Sequence, residues 1–252
     1  MDLGLQGKVA AITGGGHGIG RAISRLLAAN GARVFVADVS ADNLRATAEG
    51  TAIRTAQVDL LDRKAPDSWL AQVEKESGAP VSILVNNIGG TTHHKPKPLE
   101  DVTEEEWDAI TRLNLEPMFF TCRAVVPQMK RAGFGRIINI SSGAGLKPSI
   151  HPVQPYGIAK HGVVGFTRIL AAELGQYGIT ANSVAPGLVL TSANRERQWE
   201  NYGEAGQKAL LNRIALRKLA SPDDIARAVL FFASDLAGMV TGEVIQVGGT
   251  IS

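Results

Sequence analysis

Lys8-Val9-Ala10-Ala11-Ile12-Thr13 is a short apolar run of strand length, and it stops at Gly14-Gly15-Gly16-His17-Gly18-Ile19-Gly20. Beyond the glycines, Ile19, Ile23, Leu26 and Leu27 recur at helical spacing as far as Asn30-Gly31, a good stop signal. A strand that turns through glycines straight into a helix constrains the fold more than any other stretch of the chain. Such a turn lets the backbone approach an anion closely, and the first-turn amides and helix dipole then face it, as a nucleotide pyrophosphate requires. The bland alternative is a tight turn made of small residues.

The same alternation continues. Residues 33–37 read as a second strand ending at Asp38, residues 53–58 as a third ending at Asp59, and residues 81–85 as a fourth ending at Asn86-Asn87. Residues 64–77 form the intervening helix, closed by Gly78. Thr103 with Glu106 predicts a capping box for the next helical segment. A further helix is expected over 118–130, ending at Gly133, with Pro117 at an acceptable early position and Pro127 kinking it. A fifth strand, 136–140, ends at Ser141-Ser142; a loop, a helix over 156–177 and a sixth strand, 180–185, follow. Strands alternating with helices predict an α/β fold: a doubly wound parallel sheet of Rossmann type with helices on both faces. With no repeat, low-complexity tract or linker, residues 1–252 read as a single domain.

Composition narrows the function classes. A chain of 252 residues, 44% hydrophobic and 20% charged, is long enough for one well-buried core. Its formal charge of +2, with scattered lysines and arginines, gives no footprint for nucleic acid. The one cysteine, Cys122, excludes an internal disulfide, fits a reducing compartment and reads as a small core residue. No basic segment followed by an apolar one opens the chain, and no run of about 18 apolar residues occurs. The expectation is a cytoplasmic protein with no membrane partner.

Three residues carry candidate chemistry. Tyr156 and Lys160 lie four apart in the expected helix, so phenol and ammonium share a face. A nearby cation favours the phenolate, which makes Tyr156 a candidate proton donor and acceptor; the alternative is an exposed tyrosine packed on a lysine stem. Asp38, about 20 residues past the glycines, stands where a carboxylate accepts hydrogen bonds from adenosine ribose hydroxyls. It would repel a 2′-phosphate, and neither His17 nor Val39 offers an obvious cationic partner, so NAD is favoured over NADP. Alternatively, Asp38 merely caps the helix beginning near Ser40.

Taken together, Thr13-Gly14 through Gly18-Ile19-Gly20, Asn86-Asn87-Ile88-Gly89, Asn114, Ser142, Tyr156 with Lys160, and Pro186-Gly187 resemble the short-chain dehydrogenase/reductase family over essentially the whole chain. The resemblance implies that Tyr156 is the acid in carbonyl reduction and the base in alcohol oxidation. Lys160 would lower the Tyr156 pKa and bind nicotinamide ribose hydroxyls, and Ser142 would donate to the substrate oxygen. Asn114 would hold a water linking Lys160 to solvent, or tie backbone together. Ser141 competes for the serine role; the second serine of the pair is preferred because the family's serine is usually the second. For the cofactor, the resemblance implies contacts from Gly14, His17, Gly18, Ile19, Gly20 and Asp38. Asp59 and Leu60 would border the adenine, Asn87 and Gly89 the adenosine-side ribose, and Pro186, Gly187, Val189 and Thr191 the nicotinamide carboxamide and phosphates. Three departures stand out: Ile88 where the family has a small alanine, Gln246 before the paired glycines, and Pro155 fixing the loop before Tyr156.

The substrate pocket is expected between residues 91–97 and a lid over 192–217 carrying Trp199 and Tyr202. His93, His94, Lys95, Lys147 and His151 would make its mouth cationic and favour a substrate bearing a carboxylate, phosphate or acyl-carrier group. The paired histidines lack ligand-spaced companions, so no metal site is expected. The leading expectation is therefore an NAD-linked oxidoreductase acting on a small secondary alcohol or ketone. The rivals are an NADPH-linked 3-oxoacyl-thioester reductase and a catalytically silent nucleotide-binding protein. The family commonly forms tetramers through the helices at 118–130 and 156–177; Phe166, Ile169 and Leu170 cannot all face one sheet, which fits a homotetramer.

Overall fold

Seven strands of mostly buried residues pair in parallel: β1 Val9–Thr13, β2 Arg33–Asp38, β3 Arg54–Gln57, β4 Ile83–Asn86, β5 Gly135–Ile140, β6 Ile179–Pro186 and β7 Val244–Val247. The computed structural model describes residues 2–92, 95–149 and 152–249. The strand order is β3-β2-β1-β4-β5-β6-β7. Connections leaving β1 and β4 therefore run in opposite directions, and a crevice opens at the carboxyl ends of the strands where the order reverses. Eight α-helices are described: α1 Gly18–Ala29, α2 Ala41–Ala48, α3 Ala65–Ser77, α4 Glu104–Ala132, α5 Gln154–Leu174, α6 Ala193–Asn201, α7 Gly203–Arg213 and α8 Pro222–Ala233.

The period-two alternation of strand side chains divides the interior into two cores. Ala10, Ile12, Val85 and Ile138 pack beneath α1 and α8 with Ile23, Leu27, Val229 and Phe232. Val9, Ala11, Leu84 and Ile137 pack on the other face with Val125, Met129, Val163 and Leu174 of α4 and α5. Both faces are covered, which is why the strands read as continuous apolar runs rather than as alternating ones.

Two segments differ from the sequence expectation. The separate helix over 118–130 is the second half of α4, a single helix of 29 residues that contains both Pro117 and Pro127. Its buried stripe, Ile110, Asn114, Pro117, Met118, Thr121, Cys122, Val125 and Met129, runs unbroken through Pro117 at helical spacing. Burial of that stripe outweighs the donor lost at the proline. The expected capping box at Thr103 and Glu106 starts this helix, and Gly133, at φ 63°, ends it in the left-handed region. Second, α8 and β7 were not anticipated. A capping box at Ser221 and Asp224, with Pro222 at the first helical position between them, announces α8, and Val244-Ile245-Gln246-Val247 is a short run of strand type.

A polar chain crosses the second core where β4 and β5 end. Asn86 and Asn139 are register partners, and Asn86 Nδ2 donates to Asn139 Oδ1 at 2.9 Å. Thr121 of α4 donates to Asn86 Oδ1 at 2.6 Å, and Asn139 Nδ2 donates to Thr167 Oγ1 of α5 at 2.9 Å. The four residues are buried, so each amide must find its partners inside the protein. Replacing Asn139 with alanine takes the acceptor from Asn86 Nδ2 on β4 and the donor from Thr167 Oγ1 on α5. The expected loss is about 2 kcal/mol or more in a denaturant titration. A loss under about 0.5 kcal/mol, the range of a neutral surface change, refutes this role for the chain.

Candidate active site

The end of β1 and the start of α1 form a cradle of backbone. Gly14 and Gly18 have φ of 61° and 50°, which side-chain-bearing residues rarely adopt. A Cβ on Gly20 would stand 2.1 Å from the Gly14 carbonyl oxygen, so the loop closes only on glycine there. The N-cap residue of α1, His17, makes no side-chain cap bond. The first-turn amides of α1 thus keep the open, positive end that an anion seeks. Thr13 Oγ1, at the last residue of β1, accepts the Asn87 and Ile88 N–H groups at 3.0 and 3.3 Å, and Asn87 Nδ2 donates to Gly14 O at 2.8 Å. These bonds fix the turn after β4 against the glycine loop, with Ile88 packed on the adjoining core.

Asp38 ends β2, 7% exposed. Its Oδ2 accepts the Gly16 N–H at 3.0 Å and its Oδ1 accepts the Ser40 N–H at 3.1 Å, while His17 Nδ1 lies 4.0 Å from Oδ2. The carboxylate therefore braces both the glycine loop and the start of α2, and lone pairs remain for further donors. Helix α2 takes its side-chain cap from Ser40 rather than Asp38: Ser40 Oγ accepts the Asn43 N–H. After β3, Asp59 is exposed and its Oδ1 accepts the Leu61 N–H at 2.9 Å. Leu60 turns its side chain into the core, 1% exposed, and contributes nothing but backbone to the crevice.

Tyr156 and Lys160 lie near the start of α5, beside the end of β5. Lys160 is 3% exposed, and its Nζ donates to Ile140 O at 2.9 Å and lies 5.7 Å from the Tyr156 ring centre. Burial pulls its pKa down to about 8. The Tyr156 phenol is hydrogen-bonded to Ser142. Burial pushes the phenol above its ordinary value, while the Ser142 bond and the Arg195 charge act the other way. This reverses the expectation from the i, i+4 pair, because removing the phenolate from water outweighs the cations near it. Arg195, in the first turn of α6, was not singled out from the sequence; a cation in a first helical turn, against the dipole, was the available signal.

The two serines part company. Ser141 is buried and its Oγ donates to Lys160 O at 2.9 Å, holding the α5 backbone. Ser142 faces Tyr156, and its Oγ also accepts the Ala144 N–H at 3.2 Å. Asn114, buried in α4, is a backbone clamp: its Oδ1 accepts the Gly90 N–H at 3.0 Å and its Nδ2 donates to Gly90 O and Ile110 O, each at 2.8 Å. A Cβ on Gly89 would stand 2.5 Å from Asn114 Oδ1 and 2.7 Å from Lys160 Nζ, so this glycine brings the three groups together. At the far wall, Gly187 N donates to Val247 O at 2.8 Å, and Val189, buried, bridges to Ala220. A Cβ on Gly18 would stand 2.9 Å from Thr191 Cβ, so Thr191 lies directly against the glycine loop.

The segment over 192–217 holds α6 and α7, with Trp199 and Tyr202 packed edge to face on each other at 6.2 Å. Of the expected cationic mouth, His93, His94 and His151 lie outside the described residues. In the same loop, Lys97 is ion-paired with Glu106. Cys122 is buried, and desolvation pushes its thiol up to about 12, which leaves it inert as a nucleophile.

Similarity to known proteins covers the whole arrangement. A family model described as enoyl-(acyl carrier protein) reductase matches residues 14–251. The (2S)-[(R)-hydroxy(phenyl)methyl]succinyl-CoA dehydrogenase subunit BbsD of Thauera aromatica is 39% identical, over 98% of this chain and 97% of its own. The 3-oxoacyl-(acyl-carrier-protein) reductase FabG of Thermotoga maritima is 35% identical, over 97% and 98%. D-beta-hydroxybutyrate dehydrogenase of Cupriavidus necator is 33% identical, again over 97% and 98%. The crystal structure of levodione reductase superposes with a TM-score of 0.89 at 31% identity, covering 97% of each chain.

The buried lysine makes a prediction about stability. Its folded pKa of about 8 lies below the unfolded value of about 10.4. Between them the unfolded chain holds a proton that the folded chain has released, so stability rises with pH. Relative to Lys160→Met, the wild type should gain stability from pH ~8 to pH ~10, by up to about 1.4 kcal/mol per pH unit. Chemical denaturation of both proteins across that window tests this; a flat difference means Lys160 titrates normally.

Proposed function

Since the chain belongs to the short-chain dehydrogenase/reductase family, we propose that it is an NAD-linked dehydrogenase of 3-hydroxyacyl compounds, with Asn114, Ser142, Tyr156 and Lys160 as its working groups. Its general activity is that of the family: an oxidoreductase moving a hydride between a nicotinamide cofactor and a secondary alcohol or ketone. Bound cofactor supplies the hydride chemistry, and the chain supplies position, polarity and the proton.

The observation that carries the NAD reading is Asp38. A buried carboxylate bonded to the glycine loop occupies the ground that a 2′-phosphate would need and repels it, while it can still accept ribose hydroxyls. The open first turn of α1 and the glycines at 14, 18 and 20 suit the pyrophosphate, with Ile19 and His17 flanking it. Asn87 and Gly89 border the adenosine-side ribose; Asp59 and the Leu60 backbone border the adenine. Pro186, Gly187, Val189 and Thr191 form the nicotinamide wall. The 3-hydroxyacyl class is favoured by the relatives: two of the four names join a hydroxyl or oxo group to an acyl group, and a third names a beta-hydroxy acid.

In the proposed reaction Tyr156 exchanges the proton at the substrate oxygen. Its raised pKa keeps it a phenol at neutral pH, the form that donates to a carbonyl being reduced. Ser142, already bonded to the phenol, donates to the same oxygen as charge develops there. Lys160 turns its ammonium toward the nicotinamide ribose hydroxyls, and Asn114, by clamping Gly90 beside it, holds the water that connects Lys160 to solvent. Helices α6 and α7 close over the substrate. The NADPH-linked 3-oxoacyl-thioester reductase is the second reading, favoured by the Thermotoga maritima relative and opposed by Asp38. We also infer a cytoplasmic homotetramer joined through α4 and α5, whose outer faces expose Phe119, Ile158 and Ile169.

Tyr156→Phe should lower turnover of 3-hydroxybutyryl-CoA about 10²- to 10⁴-fold while NADH fluorescence still titrates as in the wild type. Unchanged turnover ends the proton-transfer role. Titrating the wild type with NADH and with NADPH should show at least tenfold tighter binding of NADH, about 1.4 kcal/mol. A preference for NADPH selects the second reading instead.

A further inference from the structure

A cavity of about 430 Å³ opens where β2 and β3 begin, at the end of the sheet remote from Asp38 and Tyr156. Three arginines from three elements line it: Arg25 of α1, Arg33 at the first residue of β2 and Arg54 at the first residue of β3. None of its lining residues is acidic. Its apolar lining includes Ala28, Ala32 and Phe35, the last lying 5.6 Å from the Arg54 guanidinium.

The charges in this hollow are poorly balanced. Arg25 Nη2 donates to Ala46 O and Glu49 O at 2.7 and 3.1 Å, which are neutral carbonyls at the end of α2. Arg54 meets Glu76 at 3.3 Å on an exposed edge, and that carboxylate also accepts from Gln72 at 2.7 Å. Among the described residues, no hydrogen bond or ion pair joins the Arg33 side chain. Like charges gathered round one hollow repel, and a multivalent anion relieves this while meeting the planar donor forks of two guanidinium groups. A carboxylate offers one such edge; a phosphate dianion offers enough oxygens for both arginines.

We propose that this cavity is a second binding site, for a phosphomonoester carrying an aryl or other flat apolar group. The phosphate meets Arg25 and Arg33, and the apolar group lies against the alanines beside Arg54. Such a site lies outside the crevice of the hydride chemistry, so a ligand there does not compete with the dinucleotide.

Phenyl phosphate is the probe, titrated calorimetrically into the full-length protein with and without saturating NADH. Binding in the range of about 1 mM or tighter is expected, equal in both conditions and tighter than that of inorganic phosphate. It should weaken at least tenfold in Arg25→Ala/Arg33→Ala. Arg33→Ala alone removes a side chain that makes no hydrogen bond or ion pair among the described residues, so its weakened binding reads the site even if the double variant folds poorly. Four results overturn the proposal: no binding at several times that concentration, loss of binding when NADH is present, affinity no better than that of inorganic phosphate, or full affinity in the Arg33→Ala protein.

Discussion

The bond between Asn86 and Asn139 holds the site together from beneath. Two amides at the carboxyl ends of neighbouring strands pair across the sheet, and each reaches one helix, Asn86 through Thr121 to α4 and Asn139 through Thr167 to α5. Polar groups at that depth tolerate few arrangements, because a shift of either helix leaves donors without acceptors. Apolar packing alone allows helices to slide by fractions of a turn with little loss. The chain of amides and hydroxyls sets the height of Asn114 on one helix and of Tyr156 and Lys160 on the other.

Above that foundation the site keeps its charge low. Lys160 is held by a carbonyl and has a depressed pKa, and the Tyr156 phenol is raised by burial. Desolvation outweighs attraction for both groups, so the pair is less polar than its sequence suggests. Asp38 is handled differently: it is buried, and two backbone N–H groups satisfy its carboxylate oxygens.

Much of this was legible in the chain. The strand before the glycine run, the helix after it, and the strand ends at Asp38, Asn86 and Ser141 all stand where apolar periodicity put them. What was missed has specific causes. Pro117 suits the start of a helix, yet the buried stripe running through it is visible in the spacing of Ile110, Asn114, Met118, Thr121 and Val125. The capping box at Ser221 and Asp224 carries no chemistry and announces α8 by its spacing alone. The direction of the Tyr156 shift depends on how much water the folded chain removes, a quantity that no spacing rule contains. The division of labour between Ser141 and Ser142 follows the alternation of side chains at a strand end, which sends one hydroxyl to the α5 backbone and the other toward the phenol.

Thr191 rests against Gly18, although 172 positions separate them in the chain. The segment that leads into α6 is therefore seated on the same loop whose amides face the crevice. No side chain at position 18 fits between the two, so they behave as meshed parts: a displacement of the glycine loop is passed to the base of α6 without an intervening side chain to absorb it. The height of the roof over the site is set from its floor.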